Sequence, residues 1–83
     1  MVRVGDYAIR SDNGLSWQVG RPEVASEEGR EYTRLKSPRY FHSMEAALQD
    51  VRRRTLHDEV VMRGELNLEE LMSVIEMVGR LGG

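Results

Sequence analysis

The segment at residues 39–48, RYFHSMEAAL, constrains the fold of this chain more than any other. Its first three residues favour an extended backbone, and Ser43 then stands where a helix N-cap should be, with a hydroxyl that can accept a hydrogen bond from a free amide of the first turn. Glu45 adds negative charge near the positive end of that helix. The segment therefore predicts a boundary between an antiparallel β-sheet half at 1–42 and a two-helix half at 43–83, within one domain.

The first half contains alternating patterns that are typical of half-buried strands. Three stretches alternate in this way, at residues 7–10, 15–19 and 31–36. Turn-forming residues at 11–14 and a small, acidic tip at 25–29 separate them. Pro38 supplies no donor to a sheet, so Ser37 and Pro38 are expected to end the third strand, and residues 39–41 form a short edge strand or an extended lead-in.

The second half contains two helix patterns. The first helix is expected to begin at Met44, bury one stripe of apolar residues and stop at Gly64. Asn67 followed by Glu70 resembles a capping box and predicts the start of a second helix. Together these elements predict an α+β fold, with a three- to four-stranded antiparallel sheet packed by two C-terminal helices.

The second helix has an apolar face that is wider than contact with one neighbouring element requires. A chain of 83 residues buries only about 60–65% of its unfolded surface, so self-association would add burial that the single chain lacks. We therefore expect a homo-oligomer, a dimer or higher, whose interface includes Leu71, Met72, Ile75 and Val78.

Several classes of chemistry have no visible basis in this sequence. The chain has no cysteine, and His42 and His57 fit no zinc-binding pattern, so we expect no metal and no cofactor. Neither a nucleotide-binding glycine loop nor a serine nucleophile motif is present. We expect a protein that is not an enzyme. The N-terminal residues do not resemble a signal peptide and no apolar run could span a membrane, so a cytoplasmic location is expected.

The charge pattern indicates where a ligand would bind. Residues 30–54 carry seven basic and three acidic side chains, although the whole chain has a net charge of −2. Arginine forks beside aromatic rings suit a phosphorylated, base-bearing ligand, but they would also suit an acidic protein surface or serve only solubility. The candidate ligand-binding residues are Arg34, Arg39, Tyr40, Arg52, Arg53 and Arg54.

Short motifs along nearly the whole chain resemble a family of small tailed-phage proteins of unknown function. The resemblance is carried by YAIRSD at residues 7–12, Trp17 on the next strand, a hairpin containing Gly29, YFxSxExAL at 40–48, and NLEEL at 67–71. It implies an antiparallel sheet followed by two helices. The glycine- and lysine-rich hairpin of the family is replaced here by acidic residues.

The resemblance also implies a phage-type accessory protein that acts in the host cytoplasm. By this analogy the chain would act in counter-defence, by binding and sequestering a host immune component, either a phosphorylated nucleotide signal or a defence protein. If the ligand is a nucleotide, Tyr40 or Trp17 would stack on its base. The alternative is a small nucleic-acid-binding regulator that uses the arginine-rich first helix, although the negative net charge weighs against nucleic acid.

Overall fold

The chain forms one antiparallel sheet followed by two helices, as the sequence predicts. A computed structural model describes residues 1–11 and 13–82. Its elements are β1 (Val2–Val4), β2 (Tyr7–Arg10), β3 (Trp17–Glu27), β4 (Arg30–Phe41), α1 (Met44–Arg63) and α2 (Leu68–Gly79). The four strands lie in the order β1-β2-β3-β4, and every neighbouring pair is antiparallel. The α+β fold class is therefore confirmed.

Side-chain caps set the helix starts that the sequence predicts. The Ser43 hydroxyl accepts a hydrogen bond from the Ala46 amide at 3.1 Å, and Asn67 Oδ1 accepts one from the Glu70 amide at 2.8 Å. Each cap satisfies an amide that has no partner within its own helix. Gly64, with φ of 76°, ends α1 at the predicted place.

The core lies between one face of the sheet and α1. The buried residues of this cluster are Val4, Tyr7, Ile9, Val19, Ala47 and Val51. Helix α2 packs mainly against α1, and Leu81 beyond it packs onto the edge of the same cluster. The predicted strand residue Leu15 does not join the core: it precedes β3 and is 79% exposed, because the strand begins only at Trp17.

The hairpin of β3 and β4 is longer than the sequence suggests. The strands pair as far as Glu27 with Arg30, so the tip is only Glu28 and Gly29, with φ of 51° and 79°. Positive φ at both central residues is the geometry of a tight two-residue turn whose twist matches the strands. Cross-strand pairing therefore converts most of the predicted 25–29 tip into strand.

The prediction that the strand ends at Ser37 and Pro38 is wrong, because a β-bulge at these residues lets β4 continue. Val19 pairs with Arg39 and Arg21 pairs with Lys36, so β4 carries one extra residue at this point. Ser37 adopts φ of 49°, and the strand then continues to Phe41. Proline is tolerated here because β4 is an edge strand and a bulge leaves a ladder donor unused.

The bulge decides which side chains of β4 face α1. Alternation along an unbroken strand would place Lys36 and Arg39 on opposite faces, because they are three residues apart. With the bulge, both pair with residues of β3 that share one face, Arg21 and Val19. Lys36 and Arg39 consequently lie on the helix-facing side, and Tyr40 lies on the other.

Candidate ligand-binding site

Two neighbouring cavities open between the helix-facing side of β3 and β4 and the middle of α1. The first cavity has a volume of about 270 Å³ and is lined by Arg39, Asp50, Arg53, Arg54, His57 and Asp58. The second cavity, of about 280 Å³, is lined by Tyr7, Arg21, Lys36, Ser37 and Arg54. We call the two cavities together the arginine cleft. Arg54 lines both of them.

A buried carboxylate holds the arginines of the first cavity. Asp50 is only 3% exposed, and its Oδ2 lies 2.9 Å from Arg54 Nε, one helical turn further along α1. Its Oδ1 lies 3.7 Å from Arg39 Nη1, which comes from β4. A buried carboxylate is costly unless it is paired, so Asp50 fixes one guanidinium from the helix and attracts another from the sheet.

A second network links the sheet to α1 at the second cavity. The Tyr7 hydroxyl donates a hydrogen bond to Asp58 Oδ2, and Arg21 Nη2 donates to the same oxygen at 2.8 Å. The guanidinium carbons of Arg21 and Arg54 lie 5.3 and 5.6 Å from the centre of the Tyr7 ring. Both distances fit cation–π contacts, so this ring helps to hold two arginines in place.

These contacts change the acid–base behaviour of the network. The hydrogen bond from Tyr7 is the largest cause of a lowered pKa of the Asp58 carboxyl. Partial burial opposes this change, and His57 and Arg21 lower the pKa further. Burial, followed by the bond to Asp58, raises the pKa of the Tyr7 hydroxyl. Asp58 is therefore ionised and Tyr7 is neutral at physiological pH.

The arginine cleft has an excess of positive charge. Three arginines face two aspartates in the first cavity, and three cations line the second cavity, where none of the described lining residues is acidic. In the described part of the chain, neither Arg53 nor Lys36 lies within 4.0 Å of a carboxylate oxygen. The two cavities thus each contain a cation that no acidic side chain neutralises directly.

The structure gathers three of the predicted ligand-binding residues and separates the others from them. Arg39, Arg53 and Arg54 all line the first cavity. Arg52 instead donates from Nε and Nη2 to the Leu81 carbonyl, at 3.0 and 2.8 Å, and so fastens the C-terminal turn to α1.

The remaining two candidates lie away from the arginine cleft. Arg34 lies further along the hairpin and contacts Glu23 on β3 at 2.6 Å. Tyr40 is 64% exposed, but the strand register places it on the sheet face opposite to Arg39. Trp17, the other candidate for stacking, is partly buried against the core.

Sequence reasoning named Arg54 but missed the other residues that organise the cleft. Asp50, Arg54 and Asp58 follow one another at intervals of four, a spacing that places side chains along one face of a helix. That spacing was a usable signal. Nothing local pointed to Tyr7 and Arg21, because only the sheet register brings them beside Asp58.

The predicted interface residues on α2 fall into two groups. Met72 and Ile75 are 61% and 49% exposed. Leu71 is half-buried, and Val78 is buried in the protein core at 4% exposure. A partner could contact the first two directly. Self-association through this face stays a prediction.

Two structural features are absent from the described part of the chain. Within residues 1–11 and 13–82, no group of three or more histidine or acidic side chains is arranged to hold a metal ion. Among the helices described, none combines the length and apolar character needed to cross a membrane.

Comparison with known proteins adds no relative to this picture. No protein-family model matches the chain, and neither a curated protein nor a solved structure shows significant similarity to it. The resemblance to small tailed-phage proteins stays a prediction that depends on short motifs.

Proposed function

We propose that this chain is a non-enzymatic binding protein that captures a phosphorylated nucleotide in the arginine cleft. The broader role that we propose is that of a phage-type accessory protein, which sequesters a host immune signal in the host cytoplasm. The observation that carries the binding proposal is the unneutralised positive charge of a concave site, at Arg53 and Lys36 beside arginines that are already held in position.

Pre-positioning of the arginines supports this proposal. Phosphate oxygens are bound best by guanidinium groups that do not have to be ordered at the moment of binding. Arg54 is held by buried Asp50, so most of its side-chain entropy is already lost in the free protein, and Arg21, which is 58% exposed, is restrained in part by its ion pair with Asp58. Arg53 and Lys36 then supply donors that have no acidic competitor.

The base of the nucleotide would be recognised differently from the sequence-based hypothesis. Tyr40 faces away from the cleft, so a bound base would instead stack on exposed planar groups at the first cavity. His57 and Arg39 fit this role, since their side chains are 75% and 66% exposed. Guanidinium planes and histidine rings both stack on nucleic acid bases.

The shape of the site favours a small ligand over the other two candidates. A concave cleft between sheet and helix offers less contact to the acidic surface of a host defence protein than a flat or protruding patch would. A nucleic-acid duplex would meet only Arg53 of the triplet, because Arg52 holds Leu81 and Arg54 is paired with buried Asp50. Broad basic faces are what duplex binding requires.

Isothermal titration calorimetry at low salt against cyclic and ADP-ribose-type nucleotides tests the proposal. We expect at least one of these compounds to bind, and an absence of heat for all of them would refute nucleotide capture. For a compound whose phosphate is bound at Arg53, Arg53→Gln should weaken binding about tenfold or more, since a charge-assisted hydrogen bond contributes about 1.5–3 kcal/mol.

Arg63→Gln is the matched control for that variant. It removes the same charge from the same helix, but Arg63 contacts Glu59 outside both cavities. We expect it to leave the affinity nearly unchanged. Equal losses in the two variants would show that general charge, and not the arginine cleft, attracts the nucleotide.

A further inference from the structure

The arginine cleft consists of two cationic cavities with a shared wall, and we propose that its ligand carries two phosphate groups at separate positions. One phosphate binds at Arg53 in the first cavity, and the other binds at Lys36 and Arg21 in the second. This inference depends on the proposed capture of a phosphorylated nucleotide and specifies its chemical class: a nucleoside bisphosphate or a dinucleotide.

Among the described residues Arg54 lines both cavities, and we infer that its side chain separates them. This residue is held by the ion pair to Asp50 and by the Tyr7 ring at 5.6 Å. Its side chain is only 17% exposed. A single phosphate therefore occupies one side of Arg54 or the other, and does not draw all the cations to itself.

The cavities are similar in size and each has its own cation without an acidic partner. Their volumes are about 270 and 280 Å³. Arg53 lines the first cavity and Lys36 lines the second, and these two residues come from different elements, α1 and β4. If only one phosphate bound, the positive charge of the other cavity would stay uncompensated beside it.

The carboxylates of the cleft do not fill either phosphate position. Asp50 is oriented toward Arg54 and Arg39, and Asp58 Oδ2 is occupied by Tyr7 and Arg21. Both acidic groups thus serve to position arginines. In the described part of the chain, Asp50 Oδ2 and the Nε and Nη2 atoms of Arg54 are buried without a hydrogen bond, so charge attraction across 2.9 Å is what holds this pair.

The β-bulge supports the same assignment. It places Lys36 on the side of the sheet that faces α1, together with Arg39, and it brings Ser37 to the lining of the second cavity. Bulges commonly redirect side chains beside binding sites. Without it, the second cavity would lose Lys36, the lining cation that has no acidic partner among the residues described.

Calorimetry with three adenosine compounds tests the inference: 5′-AMP, ADP and adenosine 3′,5′-bisphosphate. The three share a base and a sugar, but only the last carries phosphates on two separate positions of the sugar. We expect the bisphosphate to bind at least about tenfold more tightly than either 5′-AMP or ADP. Equal affinity of ADP and the bisphosphate would overturn the inference, because a second phosphate at a separate position of the sugar would then add nothing to binding.

Two single-residue variants test whether each cavity binds one of the two phosphates. Arg53→Gln and Lys36→Gln should each lower the affinity for the bisphosphate to about that of 5′-AMP, while 5′-AMP itself loses no more than about twofold because it can use the intact cavity. If either variant leaves the bisphosphate affinity unchanged, the two-cavity inference is wrong. Thermal unfolding of both variants confirms that they are folded.

The outcomes separate this inference from the proposed function. Binding of 5′-AMP with no gain from the second phosphate would overturn only the two-cavity inference and leave nucleotide capture standing. No binding of any of the three compounds, nor of the wider nucleotide panel, would overturn both.

Discussion

The close approach of β3 and β4 at Gly20 provides the sharpest test of the hairpin. A Cβ at this position would lie 2.9 Å from Leu35 Cβ and 2.9 Å from the Lys36 carbonyl oxygen. Non-bonded carbon atoms prefer about 3.5–4.0 Å, so the new methyl group would overlap Leu35 by about 0.6–1.1 Å. Neither atom lies at the end of a flexible side chain, so the strands themselves must move apart.

The expected cost of Gly20→Ala follows from these distances. Overpacking a dense site costs about 1–3 kcal/mol, and alanine recovers about 0.4–1 kcal/mol by restricting the unfolded chain. The free energy of unfolding should therefore fall by about 1.3 kcal/mol at the midpoint of these ranges, and by about 2.6 kcal/mol at most. For a domain of this size the melting temperature should decrease by about 4–8 °C per kcal/mol.

Urea unfolding followed by the fluorescence of Trp17, the single tryptophan, measures this loss. Gly79→Ala is the control: its Cβ would meet nothing within 4 Å, and alanine favours the end of α2 by up to about 1 kcal/mol. If Gly20→Ala were as stable as the parent protein, the bulged register of β4 would be wrong.

The remaining predictions concern the networks around α1. Because the folded-state pKa of Asp58 is lowered, the stabilisation from this group is present above its unfolded pKa of about 3.9 and is lost as the pH falls further. Asp58→Asn should therefore flatten the acid side of a plot of unfolding free energy against pH. Identical acid sides for the parent protein and the variant would contradict this. The pKa of Tyr7 is raised, so its stabilisation is complete below about pH 10 and is lost above it, and Tyr7→Phe should flatten the alkaline limb in the same measurement. Ser43→Ala should cost about 1 kcal/mol in urea unfolding by removing the cap of α1, whereas Ser73→Ala on the exposed face of α2 should cost nothing measurable. Arg52→Gln should speed amide hydrogen exchange in the C-terminal turn, since its guanidinium no longer holds that turn; unchanged exchange would show that packing alone holds it.

Local chemistry explains why much of the fold was predictable. The start of each helix depends on one side chain and an amide three residues later, at Ser43 with Ala46 and at Asn67 with Glu70. Such contacts need no tertiary information. The end of α1 at Gly64 follows in the same way from its positive φ.

The candidate site was only partly predictable because its parts are distant in the chain. Arginine at positions 53 and 54 was visible as a charged run, and the spacing of four placed Asp50 on the same helix face as Arg54, but nothing local indicated that Asp50 would be buried. Tyr7 reaches Asp58 across 51 positions of sequence. Contacts over such separations are set by strand order and register.

The sequence by itself determined the α+β class, the two helix starts and an arginine-rich middle, because each depends on periodicity or on neighbouring residues. Tertiary structure alone decided how those arginines are used. Pairing between β3 and β4 introduces the bulge that turns Lys36 toward α1, and it leaves Tyr40 on the opposite face. The same packing places the Leu81 carbonyl beside Arg52, whose guanidinium donates hydrogen bonds to it. Whether an arginine is available to a ligand therefore depends on which groups the folded chain places beside it.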